Sequence, residues 1–487
     1  MNRYSYHNFM FPFQWNIKGY EDKTFSEQIN LNNIDYALDS NWVRQIDAPN
    51  EYDADCLYNE KNYFYEFVHD ALYDNGKENS LIRHFERLET RGGDVSYIID
   101  CGERVYELNV NAVNLNLYST GVGVLSFYLY NEKYPEPVDV LNINQFGRRV
   151  FPPFINDVKQ RRLIAKSIEI KGLHRSEYGY KEDFNSYTNK GKSNLPARFI
   201  ESIIHEVAQN ISLKPVIDDR MYVQCWYKND EWTQEYKDRY NKFLYSNNWY
   251  EFVFIDQLRG MSCQNLKMQK DIIKKATYER WQQWGSLYGV SRYSMMYLTN
   301  NSGPDYQYLL DYFENTYARM AELILVQKAS VLRFSSEVTN LSNMDIRSGF
   351  SEKVSSLYKE YIRFVNQIHF REVSAQDQGI ELYQKLYDVL NIEKHVDKLD
   401  EEIGELYNYV SLREDHKSSS TMSLLTWIAT IAVPMTVIAG IFGMNNLFLS
   451  SGEKHFFNRA SVQISTIVVI TAILTICILI YKNRRVK

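Results

Sequence analysis

Two pairs of charged residues carry the first chemistry legible in this chain. Arg148 and Arg149 stand side by side in Asn142-Ile143-Asn144-Gln145-Phe146-Gly147-Arg148-Arg149-Val150-Phe151-Pro152-Pro153-Phe154, after a run read as a strand and beside stiff aromatic and proline residues. Guanidinium forks match phosphate and carboxylate oxygens. Asp218 and Asp219, in Pro215-Val216-Ile217-Asp218-Asp219-Arg220, fall at an expected strand start. Carboxylates there can accept bonds from ribose hydroxyls or an amino group. Together the four residues could clasp a zwitterionic, nucleotide-like ligand. They also fit a plainer reading, in which the arginines bridge to the acids inside the protein or lie solvated. Trp281, Trp284 and Tyr288 could stack an adenine, but at helical spacing such residues also simply fill a core.

A third group is acidic. Asp397, Asp400, Glu401, Glu402 and Glu405 crowd one predicted helix. Such a run makes a solvated face. If copies of the helix were bundled, Asp397, Asp400 and Glu401 could also hold a divalent cation between subunits, because carboxylate oxygens suit hard ions. Enzyme chemistry finds no foothold: there is no P-loop, no GxGxxG after a strand, no HExxH and no GxSxG, so the chain is expected not to be an enzyme. The nine histidines are scattered, and Cys56, Cys101, Cys225, Cys263 and Cys477 lack metal-ligand spacing, which reads as idle thiols in a reducing compartment. A formal charge of −6 argues against a nucleic-acid-binding surface.

The elements that must position these residues change texture along the chain. At 487 residues it exceeds one compact core. Val95–Ile99, Arg104–Val110 and Gly121–Tyr130 are rich in aromatic and β-branched residues and read as strands, as does 214–227. Residues 196–210 and 271–290 read as helices. Residues 1–300 are thus expected to form an α+β cytosolic, ligand-sensing domain. Residues 301–420 form a helical region, with long helices at 304–336 and 345–372. A seam of Val389, Ile392, Val396, Leu399, Ile403, Leu406 and Val410 follows at alternating steps of three and four. The seam packs either against helices of the same chain or against copies of itself as a stalk.

Residues 421–487 form a third part. Two apolar stretches, 422–449 and 462–481, contain no Asp, Glu, Lys or Arg, and each is long enough to cross a bilayer as a helix. The mean hydropathy of −0.44 averages them with a long polar remainder. Lys482, Arg484, Arg485 and Lys487 follow the second stretch, and Arg413 and Lys417 precede the first. Cations stay inside, so both termini are expected to be cytoplasmic, in an inner (plasma) membrane. The N-terminus has no basic-then-apolar leader.

Within the first stretch, Pro434, Thr436, Ile438-Ala439-Gly440-Ile441-Phe442 and Gly443-Met444-Asn445 occur in register. This segment, with the second stretch and the basic tail, resembles the CorA family of magnesium transporters. The resemblance implies a homopentamer in the lipid bilayer whose first spans line a pore. It implies an Asn445 ring at the outer mouth beside Gly443 and Met444, with Gly440, Thr436, Val433, Leu425 and Met422 facing the pore. Neutral carboxamide oxygens can hold hydrated Mg2+ through its water shell, and Leu425 and Met422 would form an apolar constriction that blocks ions by dewetting. Gly440 and Gly443 could instead serve close helix packing, Pro434 a kink, and Thr436 a bond to a backbone carbonyl. Tyr6-His7-Asn8-Phe9-Met10-Phe11-Pro12-Phe13-Gln14-Trp15, Gly147-Arg148-Arg149 and Asp218-Asp219 further resemble the CorA proteins associated with type III CRISPR systems. That implies gating by S-adenosylmethionine-AMP in antiviral defence. The alternative is a housekeeping divalent-cation transporter, and a third reading is a membrane-anchored receptor with a vestigial pore.

Overall fold

The computed structural model describes residues 3–37, 41–46, 60–149, 164–173, 180–184, 196–218, 220–256, 262–300, 306–344 and 349–445, and positions 467, 470 and 471. The chain divides into two compact units, Met1–Gly404 and Glu405–Lys487.

Among the described residues, the first unit is built on a thirteen-stranded sheet whose main path runs β11-β12-β13-β10-β1-β6-β5-β4-β7-β8. Its centre is β1 (Ser5–Ile17), flanked by β6 (Val122–Asn131) and β10 (Tyr222–Lys228). Beyond β6 lie β5 (Val105–Tyr118), β4 (Ser96–Asp100), β7 (Ser167–Lys171) and β8 (Lys181–Asp183). Beyond β10 lie β13 (Ser294–Thr299), β12 (Leu287–Val290) and β11 (Thr277–Tyr278). β2 (Trp42–Arg44) pairs with β3 (Ile82–Arg87), which pairs with β5. β9 (Ile211–Pro215) takes over from β10 at the end of β1. All pairings are antiparallel except β10 with β13.

Tyr6, Phe9, Met10, Phe11, Phe13 and Trp15 are fully buried, because both faces of β1 are covered. Alternate residues point to opposite faces. His7 and Phe9 meet α1 (Pro137–Gly147), with His7 Nδ1 2.7 Å from Asn144 Oδ1. Tyr6 packs on Phe313 at the end of α6 (Tyr306–Glu314). On that face α7 (Thr316–Ser342) crosses β1 and β6. Arg333 of α7 fastens the two layers: its guanidinium donates to the carbonyls of Trp15 and Gly121 and to Asn16 Oδ1. Gly121 has φ +73°, and a side chain there would strike this guanidinium. α8 (Phe350–Gln367) and α9 (Asp377–Val389) pack on α7.

The strands expected within 95–130 are present, whereas 214–227 holds the end of β9, a link and most of β10. The expected helix 271–290 is not one helix. It ends at Ala276 and gives way to β11, a single 3-10 turn and β12. Gly285, at φ +80°, and Gly289, whose missing side chain admits Val253, make that change possible. The seam is also divided: Val389 ends α9, and a break at Leu390-Asn391 precedes α10 (Ile392–Asn445). Asn391 adopts φ +52°, the left-handed conformation that Asn tolerates better than most residues. Ile392, Val396, Leu399 and Ile403 are buried within the single chain, so this part of the seam packs against its own fold.

In the second unit, α10 runs through the first apolar stretch to Asn445 without interruption. Met422, Leu425, Trp427 and Val433 are exposed on the single chain. Among the described residues, no helix is both long and apolar enough to cross a membrane. The stretch 462–481 lies outside the described residues apart from Ile467, Ile470 and Thr471.

Candidate functional site

Arg148 and Arg149 do not follow a strand, as the sequence suggested. They follow α1, whose C-terminal cap is Arg148. A cation is favourable where helix carbonyls point. The Arg148 carbonyl accepts the N–H of Met221 (2.8 Å), and Arg149 bridges Arg220 across the β9–β10 link. The fold therefore brings Arg148, Arg149 and Asp218 together. Asp219 lies outside the described residues. Asp218 is paired at 3.0 Å with Arg220, an arginine outside the pair the sequence reading singled out.

Arg148 has no such partner. Its guanidinium is 1% exposed, and its one hydrogen bond is from Nη2 to Gln145 Oε1 at 3.2 Å. Nε and Nη1 bond to no described residue. Burial and the neighbouring Arg220 lower its pKa to about 9. The Arg148 and Arg220 guanidinium carbons lie 5.7 and 5.2 Å from the ring centroid of Tyr293, so one aromatic ring serves both cations.

Tyr293 opens onto a cavity of about 360 Å³. Asp218 and Arg220 contribute from the β9–β10 link, Arg292 and Tyr293 from the β12–β13 turn, Lys328 and Leu332 from α7, and Leu390 and His395 from the α9–α10 junction. Lys328 Nζ sits 3.2 and 3.3 Å from the two ring nitrogens of His395. Burial and the nearby Arg292 lower the Lys328 pKa to about 8. The sequence reading missed Arg292, Tyr293, Lys328 and His395, which come from three separate elements and share no motif. Trp281, Trp284 and Tyr288 do not line this cavity. Tyr288 stacks on Tyr297 in the core at 4.1 Å, and Trp284 is exposed.

A larger cleft of about 620 Å³ is lined by Glu21, Asp22 and Glu337 together with Lys23, Lys214 and Lys353. Its charges balance, so it selects neither sign of ligand.

Asp397, Asp400 and Glu401 are exposed on α10. Among the described residues no group of three or more His, Cys, Asp or Glu is placed to hold a metal ion, so these three do not converge within one chain. Asp400 and Asp397 instead face Tyr361, where, after burial itself, they help to raise the phenol pKa. Of the pore candidates, Met422, Leu425, Val433, Thr436 and Gly440 are exposed on α10. Thr436 Oγ1 donates to the Ala432 carbonyl at 2.7 Å, as Thr426 and Thr430 do to Met422 and Thr426. Gly440 has open space around it. Gly443, Met444 and Asn445 lie in the last turn of α10; their side chains are outside the described residues.

Residues 330–484 match the family model for CorA-like Mg2+ transporter protein. The CorA-like segment starts inside α7 and takes in α8, α9, α10 and both apolar stretches. A mixed α+β region followed by long helices fits that family. No curated protein matches the chain. The cavity straddles the border of the match: Leu332, Leu390 and His395 lie inside it, while Asp218, Arg220, Arg292 and Lys328 lie outside.

Proposed function

We propose that the chain forms a CorA-type pathway for a divalent cation, with Mg2+ the leading candidate. The observation that carries this reading is the family match, which covers α10 and both apolar stretches together. The CorA family transports Mg2+ and other divalent cations and is generally homo-oligomeric in a membrane. The exposed Met422, Leu425, Trp427 and Val433 support it, because such apolar surface needs lipid or copies of the chain to cover it. Two spans enclose no conduit, so the pathway requires several copies, a homopentamer by the resemblance. Asn445 then rings the outer mouth, Thr436 and Gly440 face the ion, and Asp397, Asp400 and Glu401 are available to bind a cation between subunits. Reconstitution in liposomes with an entrapped Mg2+ indicator tests this. Wild-type protein should conduct, and Asn445→Ala should change the flux. Equal flux in the two would overturn the role of Asn445, and no divalent flux at all would overturn transport.

The match favours plain divalent-cation transport. A second reading, gating by S-adenosylmethionine-AMP in type III CRISPR defence, draws its support from the cation-rich cavity and the juxtaposed Arg148, Arg149 and Asp218. Thermal shift separates the two: stabilisation by Mg2+ but not by S-adenosylmethionine-AMP leaves transport alone.

A further inference from the structure

We propose that α5 (Leu266–Ala276) of one copy docks against the start of α10 of a neighbouring copy, setting a basic helical face on an acidic one. That several copies meet rests on the oligomeric pore reading above; the two faces stand on the first unit alone.

Composition marks the faces. α5 carries Lys267, Lys270, Lys274 and Lys275 against one acid, Asp271, for a formal charge of +3. Residues 392–404 carry Glu393, Asp397, Asp400, Glu401 and Glu402 against Lys394 and Lys398, for a formal charge of −3. At about 3.6 residues per turn, Lys267, Lys270 and Lys274 share one side of α5, and Asp397, Asp400 and Glu401 share one side of α10. The other side of α5 is already used, since Gln269, Ile273 and Ala276 are buried.

Neither face is neutralised within one chain. Lys267, Lys270, Lys274, Asp397, Asp400 and Glu401 are exposed, and none forms an ion pair among the described residues. Their neighbours on α10 are matched: Glu393 by Arg371 at 3.0 Å and Glu402 by Lys398 at 3.3 Å. Tyr361, which Asp397 and Asp400 face, supplies no counter-charge.

Apolar surface accompanies the lysines. Leu266 and Met268 are 72% and 56% exposed. Asn265 caps this turn, its side chain accepting the Met268 N–H at 2.9 Å, so an ordered helix start presents both residues. Exposed ion pairs alone contribute little, but complementary charges choose partner and register. Leu266 and Met268 add apolar area for the contact to bury.

Placement favours a second copy. Lys385 of α9 donates to the Lys275 carbonyl at 2.9 Å. Arg280, just beyond β11, pairs with Asp377 and Glu381 of α9 at 3.2 and 2.7 Å. α5 is thus fastened to the helix that leads into α10, yet its lysines do not reach the acids of their own chain. Two different patches on each copy make a head-to-tail contact, and such a contact repeated by rotation closes a ring.

The test uses the full chain in lipid nanodiscs at low salt, without Mg2+, which would compete for the same carboxylates. Lys274→Cys combined with Glu401→Cys is treated with a short bis-maleimide, and each single variant controls for the native cysteines. The double variant should give a ladder of linked chains, and the single variants should not. Adding Lys267→Glu and Lys270→Glu should cut the linked fraction by about fivefold or more, and adding Asp397→Lys and Asp400→Lys to those should restore it. Mass measurement on the same discs counts the copies independently. An oligomer that gives no ladder would overturn the interface and leave the pore reading standing, whereas a monomer would overturn both. A ladder indifferent to charge reversal, or one that the charge swap fails to restore, would overturn the pairing of the faces. Hydrogen-exchange protection at 266–276 that needs anionic lipid, with no ladder, would assign these lysines to the bilayer and overturn the docking.

Discussion

Glu314 closes α6 with its carboxylate against the hydroxyl of Tyr130 (2.8 Å), close to Arg3 and Asp311. Burial raises its pKa to about 7. A carboxyl that holds its proton more tightly folded than unfolded contributes stability at low pH, and that contribution is lost as pH rises from the ordinary carboxylate range through about 7. Glu314→Gln, which keeps an acceptor for Tyr130, should therefore stabilise the protein at pH 8 by up to about 3 kcal/mol. The gain should vanish near pH 4. Thermal melts across that range check it, and a gain independent of pH would contradict it. At this scale the sequence was half legible. Adjacent arginines and adjacent acids are visible as letters, and the fold does bring Arg148 and Arg149 to Asp218. Arg292, Lys328 and His395 were not legible, because a cluster drawn from a turn, a helix and a helix junction leaves no spacing rule in the chain. Nor does a lone Glu314 announce its burial.

Helix junctions decide what the elements can do. Asn391 is one of two described non-glycine residues with positive φ, and it stands between α9 and α10. Asn391→Gly should be nearly neutral, whereas Asn391→Val should cost about 1–2 kcal/mol, read as a lower melting temperature. Equal stability of the two would show that the break relaxes. The heptad-like spacing concealed this break, since Val389 and Ile392 keep the three-step across it. Strands β4, β5 and β6 were legible from their aromatic and β-branched residues. β1 was not read as a strand, although Phe9, Phe11, Phe13, Trp15 and Ile17 alternate with other residues, because it contains Pro12. The fold accommodates Pro12 between the part of β1 that pairs with β10, ending at Met10, and the part that pairs with β9, starting at Phe13. Gly285 and Gly289 likewise allow a turn and a strand where periodicity alone would extend a helix.

At the scale of the whole molecule, the proposed pore exists only in an assembly. Mass measurement in nanodiscs should return a pentamer. Met422→Asn with Leu425→Asn should raise resting flux, because polar side chains at the expected constriction would keep it wet. Flux at the wild-type level in that double variant would place the gate elsewhere. The CorA-like character of the C-terminal part was the most legible feature of the chain, and residues 330–484 match that family model. The sheet of residues 1–300 was less legible in its order, which depends on pairings distant in sequence.

The Arg333 clamp on Trp15, Asn16 and Gly121 has a mechanical corollary. It ties α7 to the central strands through a buried guanidinium, so Lys328, five positions earlier on the same helix, belongs to a stator.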